Sequence, residues 1–252
     1  MIADLPSDGS GAAPRRLPEA VVFDVDGTLA DTERDGHRVA FNEAFAAHGL
    51  DLSWDVEHYG ELLTITGGRQ RVAAVLRARG LEDADEVAAA VHRTKTDLFV
   101  DVVRRGDIGP RPGLPALVDD LRAHGVRIAV ATTGRRAWVE PLLAHLLGAG
   151  TAEVVVCGDD VAELKPDPEA YRLALARLDV DAARTVAVED SGPGLRAALA
   201  AGLATVVVTN HYTADHDVRG AAIVREGFDT PHQLTTAELG TALARTPRAR
   251  AH

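Results

Sequence analysis

Residues 20–28 read AVVFDVDGT, and this stretch decides the fold. Its first part, AVVFDV at 20–25, is a short apolar, β-branched run without a 3.6-residue period, the pattern of a strand buried on both faces of a parallel sheet. Similar runs recur at VRIAVAT (126–132), AEVVVC (152–157), RTVAVE (184–189) and ATVVVT (204–209). Amphipathic stretches separate them: LPALVDDLRAHG (114–125), AWVEPLLAHLL (137–147), PEAYRLALARL (168–178) and GLRAALAAG (194–202). Gly125 and Gly202 stand where helix C-caps belong. Strand and helix alternating at this spacing predict a doubly wound, Rossmann-like α/β core with a parallel sheet.

The alternation breaks between residues 33 and 106. ERDGHRVAFNEAFAAHG, GRQRVAAVLRARG and DADEVAAAVHRTKTDLFVDVVRRG carry helical periodicity, with no convincing strand between them. They predict an α-helical domain at 33–106 inserted directly after the first strand, the core being 18–32 and 107–245. GPRPGL (109–114) reads as the linker back into that core. Residues 1–17 and 246–252 are expected to be unstructured tails. The first lacks the apolar centre of a secretory signal and carries acids that a transit peptide avoids.

The 252 residues carry a net charge of -11, which argues against a nucleic-acid partner, because phosphate backbones are bound by clustered Lys and Arg. Aromatics make up only 4% of the chain, so Ala, Val and Leu must do most of the packing. The lone cysteine, Cys157, cannot form an internal disulfide, which fits a reducing compartment. No apolar stretch approaches the ~20 residues of a membrane span. A cytoplasmic monomer without a membrane partner is expected.

The candidate chemistry lies at the strand ends, where open parallel sheets bind ligands. The first strand runs into Asp24-Val25-Asp26-Gly27-Thr28, two acids at i and i+2 followed by a glycine that permits a tight turn. One carboxylate can attack phosphorus, splitting one hard step into two. The other can protonate the leaving oxygen and later deprotonate water. An acidic turn without chemistry is the plain alternative. Thr132-Thr133-Gly134 ends the next strand and can cradle a phosphate at a helix start, although Thr is also a common N-cap. Prolines bracket the turn that carries Lys165, whose ammonium can neutralise Asp24 and a phosphate oxygen. Glu189-Asp190-Ser191-Gly192-Pro193-Gly194 places adjacent acids before a Gly-rich helix start, a donor set that suits Mg²⁺. Each signal after the first is weak alone; together they gather at one edge of one sheet.

This constellation resembles the haloacid dehalogenase superfamily, over about residues 20–230. The resemblance implies that Asp24 is the nucleophile and a ligand of Mg²⁺, and that Asp26 is the general acid/base and gives its carbonyl to the metal. It implies that Asp190 with Glu189 completes the metal site, and that Thr132, Thr133 and Lys165 hold the phosphoryl group. The helical insert looks like the cap of the superfamily's sugar-phosphatase branch. Within that branch, TERDGHRVAFNEAF (32–45), WDVEHYGELLTITGGRQR (54–71) and VHRTKTDLF (91–99) resemble the CbbY-type phosphatases. This implies a small-molecule substrate, xylulose 1,5-bisphosphate, cleaved to xylulose 5-phosphate.

A bisphosphate needs a second anion clamp, for which the resemblance points to Arg71, with Arg69 its nearest competitor. Asp31 and Glu33 match positions that bind substrate hydroxyls, or serve as N-terminal acids of the first cap helix. His37 and Lys95 match positions that couple cap closure to chemistry in β-phosphoglucomutases, although Arg34-Asp35-Gly36-His37 carries one residue more than that pattern. Trp54 and Tyr59 either line the cleft or pack the cap. Three alternatives stand: a β-phosphoglucomutase, a broad sugar-phosphate or phosphoglycolate phosphatase, and an inactive phosphate-binding module. The presence of Asp24, Asp26 and Lys165 together argues against the last.

Overall fold

Strand β1 (Ala20–Phe23) lies inside a six-stranded sheet with β2 (Arg127–Ala131), β3 (Val154–Val156), β4 (Thr185–Glu189), β5 (Ala204–Val208) and β6 (Ile223–Arg225). The structure is a computed structural model and describes residues 16–65 and 67–245. The tails expected at 1–17 and 246–252 lie outside the described residues, except for Arg16 and Leu17. The strand order is β3-β2-β1-β4-β5-β6 and every pairing is parallel. The expected doubly wound α/β core is therefore present. The chain leaves β1 towards β2 and β3, then returns to β4 on the other side of β1. The order reverses between β1 and β4, which opens a crevice at their carboxyl ends.

The alternation of side chains along β1 sorts the two layers. Val21 and Phe23 join a cluster with Leu117 of α5 (Leu114–Ala123), Leu142 of α6 (Arg136–Leu147) and Leu239 of α9 (Thr236–Arg245). Ala20 and Val22 face Tyr171 and Ala174 of α7 (Glu169–Leu178) and Ala197 of α8 (Gly192–Ala200). Small residues on this second face, Ala129, Ala131 and Ala187, let the helices seat close to the sheet. Packing by Ala and Val in this way replaces the aromatics that the chain largely lacks.

Between β1 and α5 the elements are helical: a π-helical turn at Glu33–His37 runs into α1 (Arg38–Ala47), followed by α2 (Val56–Leu62), α3 (Gly68–Ala78) and α4 (Ala84–Arg105). This insert has its own apolar cluster, built on Phe41, Phe45, Trp54 and Tyr59. Phe99 and Val103 of α4 belong instead to the β-sheet cluster, so α4 ties insert to core.

Two features were not expected. The edge strand β6 is a three-residue segment with too little pattern to read. In the linker, Arg111 is only 7% exposed and its guanidinium donates to the carbonyls of Gly27 at 2.7 Å, Val208 at 2.8 Å and Thr209 at 2.6 Å. It thereby clamps the turn after β1 to the end of β5. Replacing Arg111 by Ala leaves three buried carbonyls without this donor and is expected to cost about 3 kcal/mol or more. Denaturant unfolding checks this, and a loss below about 1 kcal/mol would contradict it.

Candidate active site

The chain leaves β1 directly into Asp24, which is 6% exposed and whose Oδ2 accepts from the Thr28 hydroxyl at 3.1 Å. Gly27 makes the turn possible: its φ is 79°, and a Cβ there would lie 2.3 Å from Asp190 Oδ2. The backbone after β1 and the acid after β4 therefore approach to a distance that only glycine allows.

Lys165 joins the two strand ends. Its Nζ donates to Asp24 Oδ1 at 2.6 Å and to Glu189 Oε1 at 2.6 Å. Glu189 Oε1 also accepts from the Tyr171 hydroxyl at 2.5 Å. Burial works against the Lys165 ammonium, but the carboxylates of Asp24 and Glu189 more than offset it and raise its pKa. Burial raises Glu189 in spite of Lys165, and burial together with the charges of Asp24 and Glu189 raises Asp190 well above the usual carboxylate range.

Asp24, Glu189 and Asp190 each offer an oxygen within 4.8 Å of the others, and all three are buried. Three buried carboxylates beside one ammonium leave a deficit of positive charge, and an all-oxygen donor set suits a hard divalent cation. The residues present thus fit a divalent metal. Glu189 is engaged by Lys165 and Tyr171, and its Oε2 also accepts weakly from the Asp190 N–H at 3.3 Å. Asp24 and Asp190 are the more available pair.

Asp26 stands on the side of the insert. Its Oδ1 accepts from the Thr32 hydroxyl at 2.5 Å and lies 3.8 Å from His37 Nε2. Burial, with the Asp24 charge second, lifts its carboxyl to about 7, so a protonated form exists near neutrality. The extra residue before His37 falls within the π-helical turn, a geometry that takes up one residue more per turn. Gly36 allows it, because a Cβ there would meet the Phe99 ring at 2.6 Å and Ile108 at 2.7 Å. Burial, then the Lys95 charge, hold the His37 imidazolium far below its ordinary range. Its Nδ1 lies 2.8 Å from Lys95 Nζ and must accept, so the ring proton sits on Nε2, facing Asp26.

A cavity of about 290 Å³ opens between the insert and the core, bordered by Asp26, Asp190, Asp31 and Glu33. Asp24, Thr132 and Lys165 are not among the residues that border it. Thr132 is buried and its hydroxyl accepts from the Gly134 N–H at 3.0 Å, whereas Thr133 is exposed. Neither caps α6, whose N-cap is Arg135. Trp54 packs in the insert.

Arg71 is not among the residues that border the cavity. It is 6% exposed and its guanidinium is held by Leu62 O at 2.9 Å and the Tyr59 hydroxyl at 3.1 Å. Its competitor Arg69 is exposed. The cationic group of the insert that does border the cavity is Arg34, which is paired with Asp35 at 2.9 Å. Asn210, also unforeseen, donates through Nδ2 to Asp190 Oδ2 at 2.8 Å and to Gly27 O at 3.2 Å. It follows β5, so the strand-end rule applied to the fifth strand would have found it.

Lys95 lends itself to a test of the insert. Burial lowers its pKa from 10.5 to about 8, against the attraction of Glu33 and Asp26. Between those values the unfolded chain holds a proton that the folded chain has lost. Stability therefore rises with pH across this window and levels off below about 8, where both states hold the proton. Wild type is expected to gain stability relative to Lys95→Met as pH is raised from about 8 to about 10.5 in thermal melts. A difference that stays constant over that range would contradict the shift.

Comparison with known proteins bears on this arrangement. The family model described as haloacid dehalogenase-like hydrolase matches residues 18–202. The chain is 47% identical over 213 residues to Protein CbbY of Cereibacter sphaeroides, covering 83% of this chain and 92% of that protein. It is 41% identical over 225 residues to a CBBY-like protein of Arabidopsis thaliana, covering 85% and 70%. A crystal structure of CbbY from Rhodobacter sphaeroides in complex with xylulose-(1,5)bisphosphate is similar with a TM-score of 0.74 at 44% identity, covering 88% of this chain and 99% of that one. With a parallel sheet whose strand ends gather Asp24, Lys165, Glu189 and Asp190, and with this match over most of its length, the chain belongs to the haloacid dehalogenase-like hydrolases.

Proposed function

We propose that this hydrolase is a Mg²⁺-dependent phosphatase that cleaves xylulose 1,5-bisphosphate to xylulose 5-phosphate through an aspartyl-phosphate on Asp24. The observation that carries the chemistry is the buried Lys165–Asp24 pair, with Asp26, whose carboxyl is lifted to about 7, two residues further on. The substrate reading is supported by the likeness to CbbY, crystallised with that bisphosphate.

Asp24 Oδ attacks phosphorus, the bond from phosphorus to the sugar oxygen breaks, and the Asp26 carboxyl gives its proton to that oxygen. In the second half the Asp26 carboxylate takes a proton from water as the water oxygen attacks phosphorus, and the bond from phosphorus to Asp24 breaks. Lys165 shares its three N–H donors between Asp24, Glu189 and the phosphoryl oxygens, and Thr132 donates its hydroxyl proton. Asp24 and Asp190 would hold the metal, with the Asp26 carbonyl. When bound, the ion offsets the negative charge that nucleophile and phosphate bring together. The helical insert acts as a cap that excludes water from the cavity.

Phosphate release is the test, using xylulose 1,5-bisphosphate, ribulose 1,5-bisphosphate, β-glucose 1-phosphate and phosphoglycolate with Mg²⁺. A strong preference for the first is expected, abolished by chelation and restored by Mg²⁺. Conversion of β-glucose 1-phosphate to glucose 6-phosphate with little free phosphate would make the enzyme a mutase. Asp24→Asn is expected to lower kcat by roughly 10⁴-fold or more. Substantial turnover in that variant would overturn the covalent mechanism.

A further inference from the structure

The chain leaves β5 as Thr209-Asn210-His211-Tyr212-Thr213, and the last four of these residues border the cavity. Tyr212 reaches across it to the helical insert. Its hydroxyl donates to Val56 O, at the start of α2, at 3.2 Å, and its ring lies 6.1 Å from that of Tyr59, edge to face. Gly60 makes the seat for that ring, because a Cβ there would come within 3.0 Å of it. Glycine inside a helix is unfavourable relative to alanine, and the close approach of Tyr212 accounts for one here. Among the described residues no other hydrogen bond joins α2 to the α/β core.

The base of this stretch is fixed at the acids of the site. Asn210 donates through Nδ2 to Asp190 Oδ2 at 2.8 Å and to Gly27 O at 3.2 Å, and its Oδ1 accepts from the Tyr212 N–H at 2.8 Å. Two acceptors on one side and a donor on the other leave one orientation for the planar amide. A turn closes around it: the Asn210 N–H donates to Thr213 Oγ1 at 3.0 Å, and the Thr213 N–H to Asn210 O at 3.1 Å. The position of Tyr212 is thus tied, through one rigid amide, to the Asp190 carboxylate.

Asp190 is the acid whose position depends most on an ion. It belongs to the buried group of three carboxylates, and Lys165 hydrogen-bonds the other two, Asp24 and Glu189. Among the described residues Asn210 is the side chain that hydrogen-bonds Asp190. Without a cation, its charged neighbours repel the Asp190 carboxylate; with one, it is drawn in and held. An ion that fixes Asp190 against Asn210 favours the closed insert, and by linkage the closed insert binds the ion more tightly.

We propose that Asn210 and Tyr212 are positioning residues that form a latch: an ion at Asp190 sets Asn210, Asn210 sets Tyr212, and Tyr212 holds α2 down over the cavity. The inference rests on the divalent-cation and cap readings above. It makes closure of the insert respond to the ion before any substrate enters.

The test follows amide hydrogen exchange of α2 in the full chain without substrate, with Mg²⁺ binding measured separately by calorimetry. In wild type, saturating Mg²⁺ is expected to slow exchange within Val56–Leu62 about fivefold or more. Tyr212→Ala and Asn210→Ala, each at saturating Mg²⁺, are expected to lose that response. Tyr212→Phe keeps the ring but not the bond to Val56 O, and should show a reduced one. Tyr212→Ala should also weaken Mg²⁺ binding, although Tyr212 lies outside the acids that would hold the ion. Wild type that binds Mg²⁺ with unchanged exchange in α2, or either alanine variant that keeps the full response, would overturn the proposal. Wild type that binds no Mg²⁺ would instead remove the cation reading, and the inference with it.

Discussion

A single ammonium holds the site together. Lys165 sits 2.6 Å from both Asp24 and Glu189, and all three side chains are nearly inaccessible. Buried carboxylates are costly unless they are paired and hydrogen-bonded. The sheet supplies that pairing by setting β1 beside β4, so that Asp24 and Glu189 leave neighbouring strands side by side. Tyr171 on α7 completes Glu189, Thr28 completes Asp24, and Asn210 reaches Asp190. Even so, the acids outnumber the cation. The result is an electrostatic cradle short of positive charge, the condition under which a divalent ion binds and an anionic nucleophile survives beside an anionic substrate.

Much of this was legible because strands buried on both faces announce themselves. The runs at 20–25, 126–132, 152–157, 184–189 and 204–209 contain the first five strands, with frayed ends trimmed by a residue or two. The order of the sheet then brings residues far apart in sequence to one edge, so reading strand ends amounted to reading the core of the site. Two limits had physical causes. Ile223–Arg225 is an edge segment with Val224 half exposed, so it lacks the continuous apolar signature of its neighbours. Arg111 lies in a Pro-rich linker, and nothing local reveals that carbonyls of the turn after β1 and of the end of β5 converge on it.

The helical insert was harder to read, and the reason is angular. At 3.6 residues per turn, positions two apart on a helix point about 200° from one another, so Arg69 and Arg71 of α3 must face different surroundings. Sequence alone does not say which faces ligand. Burial draws Arg71 inward because Tyr59 and the Leu62 carbonyl satisfy it there. The same packing sets the Tyr59 hydroxyl against Glu33, which borders the cavity. His37 and Lys95 follow the same logic, with a π-helical turn adjusting the approach to Asp26. The insert thus delivers polar groups to the cavity through its own hydrophobic core, whereas the α/β core delivers them from strand ends.

The central claim is that Asp24 carries the phosphoryl group between substrate and water. The most direct measurement is rapid acid quench during turnover, followed by tryptic digestion and mass spectrometry of the peptide spanning residues 17–34. The account predicts a fraction of this peptide heavier by one phosphoryl group, with the modification on Asp24 and lost once the substrate is exhausted. Steady phosphate release with the peptide unmodified at every time point would contradict it.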